Sequence, residues 1–472
     1  MPPSVHGTVV CLPTLKDVEA YELKEPATLA KIKAGYPRFV RHHLIKEAVQ
    51  KAAAALNQSG EHFPLVSEVL ARRLLTWAGI QQYHLAPVAD WVLVTLPTGP
   101  QAEIFAKLVQ HTGALISSRQ AENFLTPVGA VNPEALGKIQ KTLQPYLAPS
   151  ASADLVVTTS GMNAIFAAMQ AVNEVQRPLG KKAWIQLGWL YVDTTRLMEK
   201  ALDAPHHLIP NVQDLASVEK LLATGTIAGV ITEIPTNPQL ETADVAALRK
   251  LCDQHGALLI LDPSAVGLAN VDVLPWADLV VASLTKYAGA AGDIMAGVVT
   301  ANPQKRDAAA LLKSIKAYAS PLHPLDLTAL AGQIDNMGAI SLQLSKNAAE
   351  IARRLAQHPS VARIRVANQG PTSASYRALQ RPGAGAGSII TIELRVPFGP
   401  VYDKLQMVKG PSFGLVFSLA APFLWLAHFS EVTTPEGRAK LKSFGLDPDL
   451  IRLSVGTEPV EEIWAALNHA LS

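Results

Sequence analysis

The segment ADLVVASLTKYAGAAGDIMAG, residues 277–297, decides the fold. "ADLVVA" is a short apolar run of the kind that forms a buried strand, and Lys286 stands just beyond its end. An ammonium there is costly to desolvate unless it has a partner or a covalent bond. Outward from this segment the chain alternates strand and helix. "ADLVVTTS" precedes the helical "GMNAIFAAMQAVNEV", and "AWIQLGWLY" precedes "DTTRLMEKAL". "IAGVITEIP" precedes "TADVAALRKLCDQHG", where Gly256 is a natural helix stop. "ALLILD" and "MAGVVTA" read as further strands. The alternation predicts an α/β fold with a doubly wound, mostly parallel sheet that binds its ligand outside the carboxyl ends of the strands.

Beyond residue 300 the pattern changes. A helical stretch over roughly 303–358 leads to "ARIRVAN", "RPGAGAGS", the strands "IITIELRV" and "DLIRLSVG" and the helix "VEEIWAALNHAL", a smaller C-terminal α+β domain. On the amino-terminal side, "PRFVRHHLIKEAVQKAAAAL" and "GEHFPLVSEVLARRLLTWAG" read as amphipathic helical stretches. "DWVLVTLP" reads as a strand, "QAEIFAKLVQHTG" as a helix closed by Gly113, and "AENFLTPVGAVNPEALGKI" as a Pro- and Gly-punctuated connection.

Forty-one basic and thirty-nine acidic side chains nearly cancel, which argues against a nucleic-acid surface or a polybasic membrane patch. Two distant cysteines, Cys11 and Cys252, have no metal or redox spacing, so a reduced, cytoplasmic setting is expected. "MPPSVHGTVVCLP" lacks the features of a secretory leader. "FGLVFSLAAPFLWLAHF", residues 413–429, is strongly apolar but interrupted by Pro422, and shorter than the ~20 residues of a spanning helix. The pairs His42–His43 and His206–His207 have no carboxylate at ligand spacing, so no metal is expected. "RPGAGAGS" precedes its strand and does not match a dinucleotide fingerprint.

"SLTK", residues 283–286, formally matches S-x-x-K, but the S-D-N and K-T-G of serine β-lactamases do not occur. A lysine at a buried strand end also suits a Schiff base with pyridoxal 5′-phosphate. That cofactor needs an acid for its ring nitrogen, a phosphate cradle and an aromatic over the ring. Asp262, ending "ALLILD", can be the acid, or a strand-terminal residue turning on the "PS" that follows. Ser160 and Gly161 lie between a strand and a helix, where free N–H groups suit a phosphate, although a serine N-cap accounts for them equally. Ser283 and Thr285 add hydroxyls from the lysine strand.

The ordered set "TSGMNAI", "EIPTNP", "LLILDPS", "ADLVVASLTKYAG…GDIMAG" and "DLIRLSVGTE" resembles the cystathionine γ-synthase-like family of pyridoxal-phosphate enzymes of Cys and Met metabolism. "LPTLKDVEAYE", "GYPRFVRHH" and "QHTGALISSRQAE" are similar to the longer fungal-type members. The resemblance implies fold type I, with a 1–60 arm reaching a neighbouring subunit, a cofactor domain over 61–300 (61–150 being extra) and a C-terminal domain over 301–472. It assigns Lys286 to the Schiff base, Asp262 to the ring nitrogen and Tyr191 to stacking. Gly161, Met162, Ser160, Ser283 and Thr285 would hold the phosphate, joined by Tyr36 and Arg38 across a homo-oligomer interface. Arg452 and Ser418 would meet the substrate α-carboxylate. The implied reaction on amino-acid substrates is γ-replacement of an O-acyl-homoserine by cysteine, with a C–S lyase as the alternative and a non-catalytic binding descendant as a third reading. Pro263 and Ser264 stand where the family commonly has Asn-Thr, so an asparagine is missed there. "SLAA" replaces Ser-Leu-Gly-Gly, and the loop after the lysine reads "GAAGD".

Overall fold

Residues 4–33, 35, 40–127, 129–200 and 204–472 are described in a computed structural model of the chain. The strand-forming runs of the middle third build one seven-stranded sheet. Its members are β4 (Val156–Thr158), β5 (Ala183–Leu187), β6 (His206–Ile209), β7 (Ile227–Glu233), β8 (Leu258–Asp262), β9 (Leu279–Ser283) and β10 (Gly297–Ala301), in the order β4-β10-β9-β8-β7-β5-β6. Neighbours from β6 through β9 pair parallel, whereas β10 runs antiparallel to both β9 and β4. Every residue of β5, β7, β8 and β10 is buried, as expected for strands covered by helices on both faces. Tight stacking shows at Gly229 of β7, where a Cβ would come within 2.7 Å of the Trp184 ring on β5.

The amino-terminal region holds a second, antiparallel sheet of β1 (Glu61–Leu65), β3 (Trp91–Leu96) and β2 (His84–Val88), in that order. Here three expectations are corrected. "EHFPL" is strand β1 and not the start of a helix, which begins only at Glu68 with the Ser67 hydroxyl accepting from Leu70 N–H at 3.2 Å. Pro64 explains the difference, since its ring is incompatible with a helix interior. The supposed connection after residue 120 contains most of the helix Ser118–Leu125 and the start of Ala135–Leu147. The helical stretch over 303–358 is three helices, Ala308–Tyr318, Pro324–Ala331 and Met337–Leu355. Pro321 lies just past the first run, where proline cannot continue the hydrogen-bond ladder, and Pro324 opens the second at a first-turn position that tolerates it.

The third sheet joins β11 (Val361–Arg365), β12 (Ile389–Leu394), β15 (Ile451–Ser454), β14 (Leu419–Ala421) and β13 (Val408–Lys409) in that order. The apolar stretch 413–429 lies here as loop, β14 and the short helix Phe423–Ala427. Among the described residues no helix is long and apolar enough to cross a membrane. Leu311 and Ile315, and likewise Leu322, Leu330 and Ile334, share cores with the large sheet. The helix Leu15–Glu22 packs on the same chain's C-terminal domain, with Val18 and Tyr21 in the core of Ile390, Tyr402 and Leu453.

Candidate active site

Parallel strands end together, and β7, β8 and β9 deliver Glu233, Asp262 and Ser283 to one edge. The helix Gly161–Gln176 starts at the same edge. Gly161 lies so close to β9 that a Cβ would stand 2.9 Å from Ser283 Cβ. The turn after β9 then carries Lys286 back over this edge. Together they open into a cavity of about 530 Å³ lined by Gly161, Met162, Tyr191, Glu233, Asp262, Ser283, Lys286 and Arg452.

Lys286 Nζ donates to Ser412 Oγ at 2.9 Å and lies 5.1 Å from the Phe413 ring centre. Asp262 Oδ1 accepts from Ser264 N–H at 2.9 Å and from Ser264 Oγ at 2.5 Å. Ser283 N–H in turn donates to Ser264 Oγ at 2.8 Å, tying β8 to β9. Thus Ser264, a departure from the family pattern, orients the aspartate. Asp262 and Glu233 are register partners on adjacent strands. Burial pushes Asp262 up to about 6, against the pull of the Ser264 hydrogen bonds. Burial and then the neighbouring Asp262 charge hold Glu233 well above the usual carboxylate range. Of the pair, Glu233 keeps a proton and Asp262 is the one that ionises. Glu233 Oε1 also accepts the Tyr191 N–H at 2.6 Å, which fixes the start of the helix Val192–Lys200.

Arg452, on β15, is 2 % exposed and lies between the rings of Phe413 and Phe423 at 5.1 and 4.9 Å. Its Nη2 donates to the carbonyls of Pro411 and Ser412 at 2.9 and 3.0 Å, and Nη1 to Asn237 Oδ1 at 3.3 Å. Burial lowers its pKa to about 10, still cationic at neutral pH. Asn237 corrects the expected lack of an asparagine: an amide does stand at this end of the cavity, brought from "EIPTNP".

The remaining predicted residues divide. The Ser160 hydroxyl caps its helix, accepting from Asn163 N–H at 3.2 Å, beside Gly161 and Met162 of the cavity lining. Thr285 Oγ1 is turned to residue 296, donating to its carbonyl at 3.3 Å and accepting its N–H at 3.1 Å, away from the cavity lining. Ser418 is engaged by Glu458, donating from its N–H at 2.5 Å and its Oγ at 3.0 Å. The serine at the lysine is Ser412, in "GPSFG" (residues 410–414). Tyr36 and Arg38 lie outside the described residues. Glu233, Ser412, Phe413, Asn237 and Asp193 were not anticipated.

Whether these residues fit pyridoxal phosphate is answered by atoms left without partners. Ser283 Oγ is buried with no hydrogen bond among the described residues, facing the free N–H groups at Gly161. Arg452 Nε is likewise buried and unmatched. One hydroxyl beside a helix amino terminus suits a phosphate, and a guanidinium with spare donors suits a carboxylate. Lys286 and Asp262 supply the imine nitrogen and the ring-nitrogen partner between them. The residues fit.

Fold and site together define a pyridoxal-phosphate-dependent enzyme of fold type I. More narrowly, the chain belongs to the Cys/Met metabolism PLP-dependent enzyme family, whose profile matches residues 139–472. It is 35% identical to the L-2-amino-4-chloropent-4-enoate dechlorinase/desaturase of Streptantibioticus cattleyicolor, over 98% of this chain and 95% of that protein. It is 31% identical to cystathionine γ-synthase of Neurospora crassa, over 67% of this chain and 52% of the other. The crystal structure of cystathionine γ-synthase from Xanthomonas oryzae pv. oryzae in complex with cystathionine superposes with a TM-score of 0.62 at 24% identity. That match covers 72% of this chain and 86% of that one, and shows the shared fold.

Proposed function

We propose that this enzyme removes a leaving group from the γ-carbon of an α-amino acid. The observation that carries this reading is the gathering of Lys286, Asp262 and Arg452 around one cavity that Phe413, Ala421, Phe423, Leu426 and Ala427 line with apolar surface. The two named relatives support the position of attack. One acts on an amino acid with chlorine on carbon four, and the other is a γ-synthase.

In this reading Arg452 binds the substrate α-carboxylate with its spare donors, which orients Cα toward Lys286. The bound cofactor supplies an electron sink for charge developing at Cα and Cβ. Lys286, held at Nζ by the Ser412 hydroxyl, takes the Cα proton and later returns a proton as general acid. Asp262 stays anionic to keep the ring nitrogen protonated, and Glu233 stays neutral beside it. The apolar wall excludes water from the γ-carbon. In this reading the enzyme is a homo-oligomer, as the family resemblance of its 1–60 segment implies.

A second reading, γ-replacement of an O-acyl-homoserine by cysteine, is favoured by the cavity mouth. Lys24, Lys107, Arg196 and Lys200 outnumber Glu22 there and suit an anionic acyl group or an incoming carboxylate. Product analysis separates the two. The purified enzyme is incubated with 2-amino-4-chloropent-4-enoate, O-acetyl-homoserine and O-succinyl-homoserine, each with and without cysteine. Chloride or acyl release without cysteine supports elimination, and cystathionine formed only with cysteine supports replacement. Loss of no γ-substituent from any of them sinks the proposal.

A further inference from the structure

The helix Pro100–Thr112 belongs to the part of the chain that precedes the family match. One face of it, Lys107, Gln110 and His111, nevertheless lines the cavity. Residues three and four apart share a helical face, so the placement follows from the spacing.

His111 is only 4 % exposed. Its Nδ1 lies 3.2 Å from Asp193 Oδ1, and Gln110 Nε2 donates to the same oxygen at 3.2 Å. The ring is thereby fixed, with its Nδ1 proton directed at the carboxylate. Its Nε2 has no hydrogen-bond partner among the described residues.

The chain just past His111 is clamped to the turn that opens the helix Gly161–Gln176. Asn163 Nδ2 donates to the Thr112 carbonyl at 3.1 Å, and Thr159 Oγ1 donates to the Gly113 carbonyl at 3.0 Å. Gly113 turns there at φ +66°, and a Cβ on it would strike Ser160 Oγ at 2.3 Å. His111 is therefore held against the amino terminus that presents Gly161 and Met162. Lys107, Arg196 and Lys200 line the same part of the cavity, beside Asp193 and Glu22.

We propose that His111 is a ligand of the cofactor phosphate, contributed by the extra amino-terminal segment and oriented by Asp193. The imidazole thus bridges two anions, its Nδ1 side toward the Asp193 carboxylate and its Nε2 side toward the phosphate. The phosphate is then held from within the chain at the end opposite Asp262.

The test strips the cofactor and titrates the apoprotein with pyridoxal phosphate and, separately, with pyridoxal, which lacks the phosphate. Binding is followed by the visible absorption of the bound cofactor. His111→Leu is expected to weaken pyridoxal phosphate about 10- to 100-fold, the effect of one charge-assisted hydrogen bond, and to leave pyridoxal binding unchanged. His111→Gln, which keeps a donor, recovers part of the loss. Asp193→Asn keeps the ring and weakens the same ligand selectively. Equal losses for both ligands overturn the proposal in favour of a packing role. Unchanged cofactor binding with collapsed turnover overturns it in favour of a substrate role. Neither readout depends on which leaving group the enzyme removes, so the proposed reaction can fail while this inference stands.

Discussion

Arg452→Lys separates the fork of the guanidinium from its charge. Arginine presents five N–H donors, and Arg452 spends three of them on Asn237 Oδ1 and the Pro411 and Ser412 carbonyls. The remaining two, one on Nη1 and the buried Nε–H, are what it can offer a substrate carboxylate. An ammonium at this position keeps the charge but has three donors on one atom and cannot span both needs. Losing one hydrogen bond to a charged acceptor costs about 1.5–3 kcal/mol, which at 1.4 kcal/mol per decade is about a 10- to 140-fold fall in kcat/KM. The fall is expected chiefly in KM, because the contact is made in ground and transition states alike. Steady-state kinetics supply that number, and a parallel cofactor titration supplies the control. Arg452 also packs between two phenylalanine rings, so kinetics are run well below the variant's melting temperature. A variant that keeps its KM but fails to retain cofactor refutes the reasoning, since it would place Arg452 at the cofactor and not at the carboxylate.

Three further outcomes are expected. Lys286→Ala should abolish the visible band of the purified protein and its turnover; a variant with the wild-type spectrum would falsify the assignment of the imine lysine. Asp262, raised to about 6 by burial in the cofactor-free chain, must be anionic to hold a protonated ring nitrogen. Cofactor affinity should therefore fall as pH drops through about 6, by up to about tenfold per unit, and an affinity flat across that window contradicts the assignment. Asp278 accepts from Arg249 Nη1 at 2.5 Å and from the Leu259 N–H at 2.7 Å, and is buried. Asp278→Ala should cost about 3 kcal/mol in denaturant unfolding, the low end for a broken buried pair, because Asp253 still engages Arg249 at 2.7 Å. A loss under about 1 kcal/mol counts against that accounting.

What the sequence could disclose followed the reach of its local patterns. Lys286, Asp262 and Gly161 were legible because a buried strand or helix start fixes where the next residue emerges, and parallel strands bring their ends to one edge. The hydroxyls were not legible. Ser160, Ser283, Thr285, Ser412 and Ser418 are chemically interchangeable in sequence, and what each does is decided by the partner, if any, that the fold brings to it. Ser418 meets Glu458, Thr285 meets residue 296, and Ser412 meets Lys286. Among the described residues Ser283 is the one of these left buried without a bond. The same reasoning explains the asparagine sought after Asp262 and found at Asn237: an amide's role depends on which guanidinium it reaches, and Arg452 is 215 residues away. A hydroxyl or amide near a predicted site is therefore better judged by what else satisfies it than by its motif. By that measure Ser283 keeps a hydroxyl to offer, whereas the Ser418 hydroxyl is engaged by Glu458. Substituting Ser283 by alanine should accordingly weaken cofactor retention, whereas Ser418→Ala should act through the Glu458 contact, on stability and not on KM.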